Sequence, residues 1–150
     1  MRDLYLDDFK PGDRFESPGL TVTEAQIIDF SMQWDPVPFH MDVELAATHE
    51  IEGLIASGFH TACITIRLFR QTGALDQCNI AGGGMDNLRW HLPVRPGDTL
   101  RSVAEVIETR RFRSKPDRGS LTMTHSAINQ HGQTVFSADC IHLVRRRPGG

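Results

Sequence analysis

The segment Gln33-Trp34-Asp35-Pro36-Val37-Pro38-Phe39-His40-Met41-Asp42 sets a carboxylate and an imidazole five positions apart, across two prolines. Proline lacks a backbone donor and restricts its predecessor, so the chain turns here instead of continuing a helix. A turn lets the two side chains converge. Aspartate is an acceptor at neutral pH, and histidine has the unperturbed pKa closest to neutrality, so the pair could hold one water and move a proton to or from it. The spacing alone equally allows Asp35 to stabilise the turn and His40 to be an ordinary hydrogen-bonded histidine, because one Asp and one His five apart form a weak motif.

A second feature is Ile55-Ala56-Ser57-Gly58-Phe59-His60, at the expected start of an apolar helix. The first amides of a helix have no partner inside it and carry the positive end of its dipole. The Gly58 amide could therefore stabilise negative charge developing on a carbonyl oxygen. A strand crossing close by would also explain a glycine there. Ser57 has no nucleophile elbow around it and reads as a pocket or capping hydroxyl.

These residues need elements to position them. Pro11-Gly12-Asp13 punctuates the start, and residues 14–20 read as a short first strand. Thr23, with Gln26 three positions on, has the form of a capping box opening a helix whose Ala25, Ile28 and Met32 recur at helical spacing up to Asp35. Residues 43–47 suit a short helix. After Glu52-Gly53, the apolar run from Leu54 to Phe69 predicts a buried helix of roughly 15 to 18 residues, ending near Thr72-Gly73. Alternating stretches at 85–92, 99–107, 120–128 and 135–144 follow, separated by turn residues at 96–98, 116–119 and 130–133. They predict an antiparallel sheet. Strands following one buried helix indicate an α+β domain whose sheet curls round that helix.

With 150 residues, 39% hydrophobic and 23% charged, the chain is sized for one domain spanning 1–150, with 145–150 expected as a short flexible tail. A net charge of -3 excludes any general pull toward nucleic acid or an anionic membrane. The acidic N-terminus lacks a signal-peptide pattern and no apolar run approaches a membrane span, so a cytoplasmic location is expected. The cysteines Cys63, Cys78 and Cys140 are odd in number and widely spaced, hence reduced, with Cys63 and Cys140 expected to be buried. His49, His91, His125, His131 and His142 lack metal-ligand spacing, so no metal is expected. Arg110, Arg111, Arg113, Lys115 and Arg118 form a basic stretch that could meet phosphates or simply be a solvated loop. Arg89 and Trp90 alternate on a strand, so one of them faces the core or a cleft.

Taken together, these residues resemble the MaoC-like dehydratase family, which includes (R)-specific enoyl-CoA hydratases and has the hotdog fold. The family's hydratase signature runs Asp-x-Asn-Pro-x-His-x-Asp, with a Gly about eighteen residues after the His. Asp35, Pro38, His40, Asp42 and Gly58 stand at the matching positions, and the stretches 84–90 and 93–100 resemble the family's cleft strand and the turn after it. Val37 departs from the signature's Asn, and Ile66 stands where some hydratases carry Ser. The resemblance implies that Asp35 and His40 are a catalytic dyad and Gly58 an oxyanion amide. The substrate it implies is a 2-enoyl or 3-hydroxyacyl thioester in which coenzyme A is part of the substrate and no separate cofactor is needed, and from their positions Ser57, Phe39, His60, Arg89, Arg113 and Lys115 are the residues expected to bind it. A homodimer or an assembly of dimers is implied, with no nucleic-acid or membrane partner. A hotdog thioesterase and a non-catalytic acyl-thioester binding protein are the competing readings.

Overall fold

A computed structural model describes residues 2–149. The capping box forms as expected: Gln26 N–H donates to Thr23 Oγ1 at 3.2 Å and Thr23 N–H to Gln26 Oε1 at 3.1 Å. Helix α1 (Glu24–Trp34) then runs to Asp35, whose amide still reaches Ser31 O at 3.0 Å. The prolines divert the chain into a single 3-10 turn, Pro38–His40, and Asp42 caps α2 (Val43–Thr48) by accepting from Leu45 N–H at 3.0 Å.

The central helix α3 (Gly58–Arg70) is shorter than the apolar run that announces it. Residues 54–57 are extended instead, because their backbone is engaged by neighbouring segments: Ala56 N–H donates to Val94 O at 2.8 Å and Ile55 N–H to Phe39 O at 3.4 Å. Apolar side chains serve a packed extended segment as well as a helix. Nor is α3 buried all round, since Phe59, Cys63, Arg67 and Arg70 are exposed. Cys63 is thus exposed and not buried as expected, whereas Cys78 and Cys140 are buried.

The expected first strand breaks at Pro18-Gly19 into β1 (Arg14–Glu16) and β2 (Leu20–Thr21). The others are β3 (Asn79–Trp90), β4 (Thr99–Arg111), β5 (Arg118–Ile128) and β6 (Thr134–Arg145). They form one antiparallel sheet in the order β1-β4-β5-β6-β3, with β2 beside β4. Alternate residues of its inner face, such as Leu121, Met123, Phe136 and Ala138, are buried with Ile64, Leu68 and Phe69 of α3. Each large apolar side chain buried this way contributes roughly 1.5–3 kcal/mol. The sheet packed on α3 is the expected α+β arrangement. Among the described residues β3 pairs only with β6, which leaves its other edge open, with Met85 and Trp90 exposed.

The tail expected to be flexible is tied down at its start. Arg145 closes β6, Arg146 Nη2 lies 2.9 Å from Asp7 Oδ1, and Arg147 reaches Asp8 at 2.7 Å and Asp3 at 3.2 Å. The acidic N-terminus and the basic C-terminus neutralise each other. The Arg147 backbone amide and the Arg146 guanidinium hold the Asp7 carboxyl below its usual range. No helix among the described residues is long and apolar enough to cross a membrane.

Candidate active site

The prolines at 36 and 38 bring the end of α1 and the 3-10 turn together, so that Asp35 Oδ2 lies 3.6 Å from His40 Nε2. The His40 side chain is 8% exposed and that of Asp35 24%. His40 Nδ1 sits 2.7 Å from the Ile55 carbonyl oxygen. A carbonyl only accepts, so Nδ1 carries the hydrogen, and Nε2 of the neutral ring is left as an acceptor facing Asp35. Two acceptors cannot bond each other, but one water can donate a hydrogen to each. The pair therefore suits a water whose oxygen lone pairs stay free.

Ser57 joins this pair from the start of α3. Its Oγ donates to Asp35 Oδ2 at 2.6 Å and accepts from Phe59 N–H at 3.2 Å. Thr61 N–H goes to Ser57 O at 3.1 Å, so the first turn's Gly58 and His60 amides are the ones without an acceptor inside the helix. The glycine at 58 has a steric reason as well: a Cβ there would overlap the Trp90 indole, whose Nε1–H donates to Gly58 O at 2.9 Å. What crosses closely is a side chain of β3, not its backbone.

A cavity of about 440 Å³ is lined by Asp35, His40, Ile51, Ile55, Ala56, Gly58, Phe59, Thr61 and residues 90–94; Ser57, expected to touch substrate, is fully buried behind this wall and does not border it. That volume is in the range of small-molecule sites. Its walls are mainly apolar, with the acceptors of Asp35 and His40 and the amide end of α3 as the polar points. Arg95 ties one wall in place: Nη2 donates to Ile51 O at 2.6 Å and Nη1 to Glu52 O at 3.3 Å. Next to it Gly53 has φ +127, a conformation that favours glycine.

The other residues singled out from the sequence are placed differently. Phe39 packs edge-on against the His40 ring, centroids 4.6 Å apart, and supports it from outside the cavity wall. His60 stacks on Phe30 at 4.5 Å and does not border the cavity; its Nδ1 is buried without a partner, and burial lowers its pKa. Of the alternating pair, Trp90 lines the cavity, while Arg89 folds back onto Leu88 O at 3.0 Å. Arg113 and Lys115 lie in the β4–β5 turn. Register runs from Arg111 through Gly119 and Val144 to Asn79, so that turn is at the far end of the sheet from Trp90. Val37 and Ile66 do not border the cavity. Among the described residues no three potential metal ligands gather.

Sequence reasoning passed over Ile51, Thr61 and residues 92–94 as cavity wall. The Pro96-Gly97-Asp98 turn was the available signal for the last of these, since the segment leading into it must leave the sheet. Nothing in the pattern announces Ile51, which depends on Arg95, 44 positions away.

Known proteins share this fold. A family model described as "MaoC like domain" matches residues 8–129. The uncharacterized protein YdeM of Bacillus subtilis is 33% identical over 143 residues, covering 95% of this chain and 100% of its own. The crystal structure of a MaoC-like dehydratase from Rhodospirillum rubrum is 41% identical, with a TM-score of 0.90 over 97% of this chain and 99% of that one. An (R)-hydratase from A. caviae involved in PHA biosynthesis is 23% identical, with a TM-score of 0.71 over 93% and 98% of the two chains, which is a likeness of fold. With the sheet, the central helix and most of the chain matched, this protein belongs to the MaoC-like domain family and has the hotdog fold.

Proposed function

We propose that the cavity binds a 2-enoyl or 3-hydroxyacyl thioester, and that Asp35 and His40 add water across its C2–C3 bond or remove it. One observation carries this reading. Two proton acceptors, His40 Nε2 and the Asp35 carboxylate, meet at 3.6 Å beside the open amide end of α3 in the same cavity. The activity of the (R)-hydratase with the same fold, and the dehydratase name of the 41% identical structure, support the class of reaction.

In the hydration direction, a water held between the two acceptors gives up one proton to them as its oxygen bonds to C3. The C2=C3 electrons shift toward the thioester carbonyl, whose oxygen gains negative charge facing the Gly58 amide. Return of the electrons to C2, with delivery of a proton there, gives the 3-hydroxyacyl thioester. The sum is one water added, and dehydration is the same path reversed. Ser57 is not placed as a nucleophile: it is fully buried, its Oγ is held by the Phe59 amide, and it does not border the cavity.

We further propose a homodimer, or an assembly of dimers, built on the open edge of β3. A second copy pairing antiparallel there would set its Asn79 end beside this copy's Trp90 end. The partner's Arg113 and Lys115 turn would then stand at the cavity's end of the joint sheet, where the phosphates of coenzyme A would meet them. Fatty acyl thioesters of the cytoplasm are the substrates this reading supplies, with no separate cofactor.

The test is a panel of 2-enoyl-CoA and 3-hydroxyacyl-CoA compounds, followed by enoyl absorbance and by free thiol. The expected result is a change in the enoyl band without thiol release. Thiol release with an unchanged enoyl band would overturn the hydratase reading in favour of thioester hydrolysis.

A further inference from the structure

We infer that Ser57 is a positioning residue that couples the Asp35 carboxylate to the amide end of α3. The inference rests on the hydratase reading for its chemistry, and on geometry for the coupling itself.

The hydroxyl of Ser57 is fully buried, and its 2.6 Å bond to Asp35 Oδ2 has the length of a charge-assisted O–H···O⁻ contact. Among the described residues no other group donates a hydrogen bond to that carboxylate. The serine itself is held to the helix on several sides. Its Oγ accepts from Phe59 N–H at 3.2 Å, and its carbonyl accepts from the Thr61 amide at 3.1 Å and the Thr61 hydroxyl at 3.4 Å. The Gly58 amide follows in the chain. One side chain with a single rotatable χ1 therefore fixes the distance between the carboxylate at the end of α1 and the free amide at the start of α3.

That distance matters because the substrate is rigid. In a 2-enoyl thioester the carbonyl and the C2=C3 bond are conjugated and coplanar, so the carbonyl oxygen and C3 keep a fixed separation. The protein must match it, and a misplacement of about 1 Å can lower a rate by about a hundredfold. Val37 offers no polar group to hold Asp35 from its own loop. Ser57 reaches it from 22 residues away, between two helices that also meet through the Phe30–His60 stack.

The experiment compares Ser57→Ala and Ser57→Thr with wild type, alone and combined with Asp35→Asn, using whichever enoyl thioester the wild type turns over. Ser57→Ala should lower kcat by about ten- to a hundredfold with KM within about twofold, because binding contacts stay and only the carboxylate loosens. Ser57→Thr, which keeps the hydroxyl, should recover most of the rate. In the Asp35→Asn background, Ser57→Ala should cost nothing further, since its effect runs through the carboxylate. Wild-type kcat in Ser57→Ala, or the same proportional loss in both backgrounds, would overturn the coupling. A crystal structure of Ser57→Ala tests the coupling without any assay. The Asp35 carboxylate should leave its place 3.6 Å from His40 Nε2, and an unmoved carboxylate would sink the proposal even if the protein proved to have a different activity.

Discussion

His40 and the pair His125 and His142 are all buried, yet their surroundings fit them for opposite tasks. His40 is 6% exposed, its Nδ1–H is spent on the Ile55 carbonyl at 2.7 Å, and its other nitrogen opens on a cavity shared with a carboxylate. His125 and His142 are 0% and 4% exposed and meet through their Nε2 atoms at 2.9 Å, with the Phe69 ring packed edge-on 4.5 Å from His125. One of those nitrogens donates and the other accepts, which uses up both, and His125 Nδ1 is left buried without a partner. Burial, with the neighbouring imidazole and Arg70 adding to it, pushes His125 down to about 3, and burial with Arg70 takes His142 down to about 4. Neither borders the cavity. The difference teaches that burial does not make a histidine reactive. A fixed tautomer, an open nitrogen and a second acceptor are what the proposed acid/base work asks for, and only His40 of the three has them.

The sharpest way to break this contrast is at His40 itself. Asp35→Asn and His40→Ala should each lower hydratase kcat by at least about a hundredfold if the pair does acid/base work. His40→Ala also leaves the Ile55 carbonyl without its donor, a loss of about 1–3 kcal/mol in a thermal or urea melt. Asp35→Asn strands no such group and isolates the chemistry. Wild-type rates in both variants would remove the dyad. On the other side of the cavity, Gly58→Ala drives a methyl into the Trp90 indole and displaces the wall above the free amide. We expect about a tenfold or larger loss of kcat/KM, and Gly58→Ala with Trp90→Leu should recover part of it by making room. No recovery in the double variant would mean that the indole is not what the methyl disturbs.

The core pair should show itself in stability and leave the rate alone. Both imidazoles are neutral in the fold, whereas the unfolded chain takes up protons below about pH 6.5. The unfolded state therefore binds more protons between about pH 6.5 and the folded values near 3 and 4, so stability is full above that window and lost as pH falls through it. Replacing both, as His125→Phe with His142→Leu, should flatten that acid loss in melts run from pH 7 to pH 4, while kcat at pH 7 stays within about twofold. An unchanged pH slope would mean that the pair does not carry the acid sensitivity.

Why the sequence made one half of this contrast visible and not the other is a matter of range. The Asp35–His40 turn is local: two prolines and the Asp42 cap bound it within a few residues, and the Thr23–Gln26 capping box starts the helix that leads into it. The strands were legible because β4, β5 and β6 bury one face, which writes a period of two into the residues. β3 begins at Asn79, six residues before the alternation, because its glycines pair through backbone alone and its register shifts there. The contacts that complete the site are long-range. Ser57 with Asp35, Arg95 with Ile51 and Trp90 with Gly58 link positions far apart, and no period records them. His125 and His142 likewise sit on strands at inward positions where the pattern calls for an apolar residue, and only the register of β5 with β6 shows that they face each other.

His60 lies between the two cases and tests where the boundary falls. It is on α3 two residues after Gly58, a position from which the sequence expects it to line the cleft, but its ring stacks flat on Phe30 with an interplanar angle of 5° and is not among the cavity walls. Its Nδ1 is buried and unpartnered, so the imidazole is held by packing with one polar atom left over. If cavity access is what separates His40 from the core pair, His60 belongs with the core pair. His60→Phe should then keep the stack, relieve the unpaired nitrogen and leave kcat and KM within about twofold, with a melt at pH 7 unchanged or slightly higher. Burial lowers the pKa of His60, so the same variant should also lose less stability than wild type as pH falls below about 6.5. A tenfold fall in kcat/KM with an intact fold would return His60 to the site and show that an imidazole can act there without bordering the cavity.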